Sequence, residues 1–258
     1  MAISTMMKNL ASLAAIASLS TAVTIALSSP AHAYRIFFGE DLNNSGLRPL
    51  SSFTNAKTAE ANFLSGLVGV GTETFEGFTP GSRGSLNLSF PGAGTATLQG
   101  NGNISSVTPG TTNRVGRYAI SGSKFWEVDA GGNFLVNFSQ RVAAFGFYGV
   151  DLGDFGGQLT LNLSGGGTKQ VTVPNTIGSS GSTDGSVLYY GLIAETPEEA
   201  FTSISFKMST GQGDVFAFDN MTIGSLEQVK PAPEPASTLG LLALGAMGAG
   251  SMLKRKQQ

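Results

Sequence analysis

From Thr72 to Gly224 apolar and polar residues alternate with a period of two, in short runs parted by glycine, asparagine, aspartate and proline. LNLSF, TATLQ, VGRYAI, KFWEV, NFLVNF, VAAFGFYGV, QLTLNL, KQVTV, VLYYGLI, SISFKM and VFAFDNMTI all have strand length. Period two marks a half-buried strand, because successive side chains leave opposite faces of a sheet. VAAFGFYGV is nearly all apolar, which predicts a central strand covered on both faces. Tyr34 to Phe38 predicts a short first strand, followed by the polar loop GEDLNNSGLRPLSS. Only TNAKTAEANFLSGL has helical spacing. There Thr54 or Asn55 is the cap, Ala56, Ala59, Phe63, Leu64 and Leu67 form the apolar face, and Gly66 and Gly69 end the helix. TPEEAFTSISF leaves room for one helical turn, and Gln228 to Pro235 reads as a linker. Many strands without interleaved helices predict an all-β fold, an antiparallel β-sandwich with one short N-terminal helix.

The alternation stops at both ends. Lys8 precedes an apolar stretch from Leu10 to Leu27, Pro30 breaks it, and Ala31-His32-Ala33 puts small residues before Tyr34. That is the pattern of a signal peptide over residues 1–33, cut by signal peptidase between Ala33 and Tyr34. Residues 236–253 carry no charge, and Lys254, Arg255 and Lys256 follow at once. Their length lies at the short end of what a transmembrane helix needs, about 17–25 residues. The basic end would stay on the cytoplasmic side. Gly240, Gly245, Gly248 and Gly250 suit a helix in lipid better than one in water, which would need a polar face. Pro233 and Pro235 around Glu234 force an extended backbone lacking two amide donors, a shape that suits a protease cleft. Residues 34–230 are left as one domain, long enough to bury a core of its own.

This three-part tail over residues 231–258 (Pro233-Glu234-Pro235, apolar span, basic end) resembles the PEP-CTERM sorting signal of Gram-negative bacteria. The resemblance implies export through the inner membrane, transient anchoring there, and processing by an exosortase. Release or anchoring at the cell surface would follow, often in strains that make exopolysaccharide. More loosely, FEGF early in the strand region and FDNMTIG at its end resemble the first and last strands of carbohydrate-binding, galactose-binding-like jelly rolls. TNAKTAEANFLSGLVGVGTETFEGF and FGFYGVDLGDFGGQLTLNL are similar to the ectodomain commonly carried by PEP-CTERM proteins. These resemblances imply a jelly-roll-like topology. They also imply a structural calcium ion shared by Glu76 and Asp219, one acid from an early strand and one from the last.

Composition narrows the chemistry. Of 17 acids and 15 bases, the two ends hold Glu234 and the bases Lys8, Lys254, Arg255 and Lys256, which leaves the body a net charge of −5. That argues against nucleic acid as a partner, which needs a basic footprint. There is no cysteine, so neither a disulfide nor a thiol nucleophile is available. The only histidine, His32, lies in the signal peptide, so the mature body has no imidazole for a Ser-His-Asp triad or a zinc site.

Carboxylates remain. Asp151 and Asp154 sit three apart in the glycine loop GVDLGDFGG, as calcium ligands or as turn formers. Glu127 and Asp129 share one strand face beside Phe125 and Trp126, either as a sugar-binding face or as a solvated face over a core tryptophan. Tyr189 and Tyr190 point to opposite faces, so one is core and the other could line a groove. A glycosidase needs two acids at a set separation, and nothing in the sequence selects a pair. The expected function is a non-enzymatic cell-surface or extracellular-matrix protein with exopolysaccharide as a partner. A carboxylate-dependent glycan hydrolase and a ligand-free matrix protein are the alternatives.

Overall fold

A computed structural model describes residues 34–129, 133–152, 157–174, 183–208 and 215–231. The alternating runs become strands: β1 (Arg35–Asp41), then, after helix α1 (Thr54–Ser65), β2 (Thr72–Glu73), β3 (Leu86–Phe90), β4 (Gly94–Gln99), β5 (Asn103–Ser106) and β6 (Lys124–Asp129). The chain continues through β7 (Leu135–Val142), β8 (Ala144–Val150), β9 (Gly157–Leu163), β10 (Thr168–Thr172), β11 (Val187–Ile193), β12 (Phe201–Met208) and β13 (Val215–Gly224). They form two sheets. A seven-stranded sheet has the order β1-β11-β8-β13-β6-β5, with β2 added to β13, and a six-stranded sheet has the order β10-β9-β12-β7-β4-β3. The pairings are antiparallel, and the architecture is the expected jelly-roll-like sandwich. The signal helix and the span 236–253 fall outside the described residues.

The inward positions of both sheets make one core in which phenylalanine dominates. Phe134 stacks on Phe206 with ring centroids 4.4 Å apart, and Phe147 stacks on Phe218 at 5.0 Å. Each such side chain contributes roughly 1.5–3 kcal/mol by leaving water. The outer face of the seven-stranded sheet carries a second apolar layer, where Tyr148, Val150, Val187, Tyr189 and Ile193 pack beneath Ala56, Ala59 and Phe63 of α1. Both faces of β8 and β11 are therefore covered, and every residue of these two strands is buried. The continuous apolar run VAAFGFYGV reports that position correctly.

The helix lies flush on the sheet because glycines floor it. A Cβ on Gly191 or Gly146 would come within 2.7 or 2.9 Å of the Phe63 ring, and one on Gly39 would strike the Asn55 carbonyl. The cap differs from expectation. Phe53 holds the N-cap position without a side-chain bond, and neither Thr54 nor Asn55 caps. Asp41 at the end of β1 accepts the N–H groups of Asn55 and Ala56 at 3.2 and 2.9 Å. A carboxylate at a helix N-terminus satisfies orphan donors and the helix dipole together, so a tertiary contact replaces the local cap.

Four other segments depart from the sequence pattern. VGRYAI is a loop, because its amides are claimed by side chains: Asn113 Oδ1 accepts the N–H of Val115 and Arg117, and Asp219 that of Ile120. β2 and β5 are strands too short for a period to register. Of the expected linker Gln228 to Pro235, the described part is docked: Leu226–Gln228 form a 3₁₀ turn, Gln228 is buried, and Val229 bridges to Leu67, while residues 232–235 lie outside the described residues. The helical turn allowed in TPEEAFTSISF is the 3₁₀ turn Pro197–Glu199.

Candidate functional sites

Glu76 and Asp219, far apart in sequence, close on the same loop. β13 bulges between Asp219 and Thr222, with Asn220 at φ 46, which aims the Asp219 carboxylate at residues 120–121. Asp219 Oδ2 accepts the N–H of Ile120 at 2.8 Å and of Ser121 at 3.4 Å, and Oδ1 accepts that of Asn220 at 2.7 Å. Glu76 Oε1 accepts the N–H of Ser123 at 2.8 Å and of Lys124 at 2.6 Å. Asp219 is fully buried, and burial pushes its carboxyl up to about 8. The three amides pull it down, the Glu76 charge pushes it further up, and burial outweighs the amides.

The donor set suits a calcium ion in kind. The carbonyls of Glu76 and Phe78 are taken by the Lys124 ammonium, at 2.7 and 2.8 Å. The two carboxylates supply at most four oxygens, short of the six to eight that calcium takes, so water would have to complete the shell. Among the described residues no group of three or more acidic side chains forms a metal cluster.

The other acids have structural partners. Arg117 lies between Glu127 and Asp151, with Nε 2.7 Å from Glu127 Oε1 and Nη1 3.3 Å from Asp151 Oδ2. Asp151, at φ 67, also accepts the Gly185 N–H at 3.0 Å. Its role here is to join three loops, and Asp154 lies outside the described residues. Glu127 and Asp129 do share the outward side of β6, but no large aromatic side chain is exposed among the described residues. Trp126 and Phe125 are fully buried in the two apolar layers. Both Tyr189 and Tyr190 are core, because α1 covers the face left for a groove. The exposed large apolar side chains among the described residues are Ile36, Leu42, Leu47, Val68 and Val115, all aliphatic. Three surface depressions each hold a single carboxylate, Glu195, Glu40 or Glu199, so none presents an acid pair.

The six-stranded sheet is chemically different. None of its strands contains an aspartate or glutamate, whereas Lys169, Lys207 and Arg141 lie on them. Among its outward positions, amides and hydroxyls stand in register across the strands: Asn87 faces Thr97, Thr97 faces Asn137, and Asn162 faces Ser203. Thr97 Oγ1 donates to Asn87 Oδ1 at 2.8 Å and Asn162 Nδ2 to Ser203 Oγ at 2.6 Å. Six strands at the usual spacing make this face about 24 Å wide.

The two ends of the body meet at a third place. Tyr34 packs edge-on to Phe201 and donates its hydroxyl to the Glu199 carbonyl at 2.6 Å, so the first residue after the expected cut belongs to the fold. At the other end Gln228 Nε2 donates to the carbonyls of Gly69 and Pro91 at 2.7 and 2.9 Å, and its Oε1 accepts the Ser225 N–H at 3.0 Å. Lys230 donates its N–H to the Gly66 carbonyl at 2.9 Å and its ammonium to that of Ser65 at 2.9 Å, while Arg35 Nη2 donates to the Lys230 carbonyl at 3.3 Å. Arg117, Lys124, Gln228 and Lys230 had no signal in the sequence, since each acts on a distant backbone. Ala31, Ala33, Pro233, Glu234, Pro235, Lys254, Arg255 and Lys256 lie outside the described residues.

Loose structural likenesses exist. The CBM22-1 xylan-binding domain from Paenibacillus barcinonensis Xyn10C is 10% identical at a TM-score of 0.32, covering 64% of this chain and 96% of its own. TmCBM61 in complex with beta-1,4-galactotriose is 17% identical at 0.25, covering 50% and 88%. The Stig cyclase Fisc from Fischerella sp. TAU, in complex with (3Z)-3-(1-methyl-2-pyrrolidinylidene)-3H-indole, is 14% identical at 0.32, covering 72% and 98%. No curated protein matches the sequence. Residues 231–256, which begin where the docked stem ends, are a PEP-CTERM protein-sorting motif, the signal of an exported protein.

Proposed function

We propose that this protein leaves the cytoplasm behind a signal peptide cut before Tyr34, is held in the inner membrane by residues 236–253, and is then cut by an exosortase-type enzyme at the Pro233-Glu234-Pro235 region. The body acts at the cell surface or in the extracellular matrix, where it contacts polysaccharide without catalysis. The acid-free outer face of the six-stranded sheet carries the binding part of this reading. Planar amides and hydroxyls pair with sugar hydroxyls, and the absence of carboxylates from these strands removes repulsion toward anionic sugar residues in a body of net charge −5. Titration of purified mature protein with neutral and uronate-containing polysaccharides tests it. Binding lost in Asn137→Asp, with the melting temperature kept, is the expected result. No binding to any of them leaves the ligand-free matrix protein, and release of reducing sugar replaces the reading by a glycan hydrolase.

We also propose a weak structural calcium site at Glu76 and Asp219. The ion would supply the countercharge that Asp219 lacks and fasten the last strand in a chain without disulfides. Millimolar calcium should raise the melting temperature, and Asp219→Ala should abolish the rise. A wild-type melting curve indifferent to calcium and chelator removes the site.

A further inference from the structure

The contacts that end the body lie against the start of the sorting motif. Gln228 is buried with both side-chain N–H groups and its side-chain oxygen bonded, and its carbonyl accepts the Val68 N–H at 2.9 Å. Space for it is made by Gly92, where a Cβ would lie 2.7 Å from Gln228 Nε2. Lys230 is then tied to the C-terminal end of α1 and to Arg35, and Pro231 lines a depression with Arg35 and Glu195. Only Pro231 and Ala232 separate Lys230 from Pro233-Glu234-Pro235.

We propose that Ser225–Lys230 is an autoinhibitory clamp on the sorting signal, so that the processing enzyme cuts chains whose stem has come off the body. The proposal rests on the sorting reading above. Its physical reason is reach. While the stem is docked, Lys230 lies at most about 14 Å from Glu234 and about 21 Å from Ala236, where the apolar span begins. A folded body is thereby pressed against an enzyme embedded in the membrane, and too little extended chain is free to enter its cleft. Release of Ser225–Lys230 adds roughly 20 Å of chain. The cutting rate then follows the fraction of chains with the stem released.

A pulse-chase in the producing bacterium, following the uncut and cut forms by size, tests this. Gln228→Ala removes the hydrogen bonds to the Gly69 and Pro91 carbonyls and the one from the Ser225 N–H, and is expected to be cut roughly tenfold faster. A Gly/Ser insertion of about ten residues between Pro231 and Ala232 leaves every stem contact in place while supplying free chain, and it is expected to be cut faster as well. This second variant decides the matter if Gln228→Ala weakens the body. An insertion variant cut at the wild-type rate or slower overturns the clamp, whatever Gln228→Ala does. Glu234→Ala in each background separates the two readings. Cutting that ignores this change overturns the sorting reading, whereas cutting that needs Glu234 but ignores the insertion overturns the clamp alone.

Discussion

Asp219 should give the mature protein a pH-dependent stability that one substitution removes. Its carboxyl is fully buried and raised to about 8, while in the unfolded chain it titrates near the ordinary value of about 3.9. Between those values the folded state keeps a proton that the unfolded state has lost. Stability is therefore greatest on the acid side and falls as pH rises, by about 1.4 kcal/mol per pH unit. From pH 5 to pH 7.5 the loss is about 3 kcal/mol, a large share of the roughly 5–15 kcal/mol that holds a domain folded. The mature chain makes this reading clean. In a chain that starts at Tyr34 the only histidine, His32, is absent, so no imidazole titrates in this window. Urea denaturation at half-unit pH steps, in chelator, would measure the slope. Asp219→Asn keeps the shape and most of the hydrogen bonding without the titration, so its curve should be flat from pH 5 to 7.5. A wild-type curve that is flat or rises with pH would refute the argument, as would an Asn variant with the wild-type slope.

Other expectations follow from single contacts. Gly102→Ala would drive a Cβ into the Trp126 indole, and overpacking of that kind costs about 1–3 kcal/mol, readable as a lower denaturation midpoint. Asp41→Ala removes the carboxylate that caps α1 and should cost about 1 kcal/mol, with hydrogen exchange faster in the first turn of the helix. Arg117→Met leaves Glu127 and Asp151 without their shared cation and should loosen the joined loops, seen as protease cleavage near residues 113–118 that the wild type resists. Intact mass of exported protein should show a chain starting at Tyr34 and lacking everything after the Pro-Glu-Pro region, and Glu234→Ala should remain uncut in the inner membrane.

Local chemistry is what the sequence alone determined. Period two marks strands wherever one face is buried, so LNLSF, KFWEV and SISFKM could be read directly, and the apolar run VAAFGFYGV announced a strand covered on both sides. The sorting tail was legible for a related reason: its three parts are contiguous in the sequence, so the pattern needs no fold to assemble it. What depended on tertiary structure is the partner of each polar group. The amides of VGRYAI look available for a ladder until Asp219 and Asn113 take them, and Tyr189 looks free to line a groove until α1 lies over it. Asp41 caps a helix 13 residues downstream of itself, and Gln228 closes onto Gly69 and Pro91. Contacts of that kind carry no period, because nothing in the local sequence records which distant carbonyl or amide will be left unpaired when two sheets close. Only closure settles that, since a buried polar group must find a partner at a cost of about 1–3 kcal/mol if it does not.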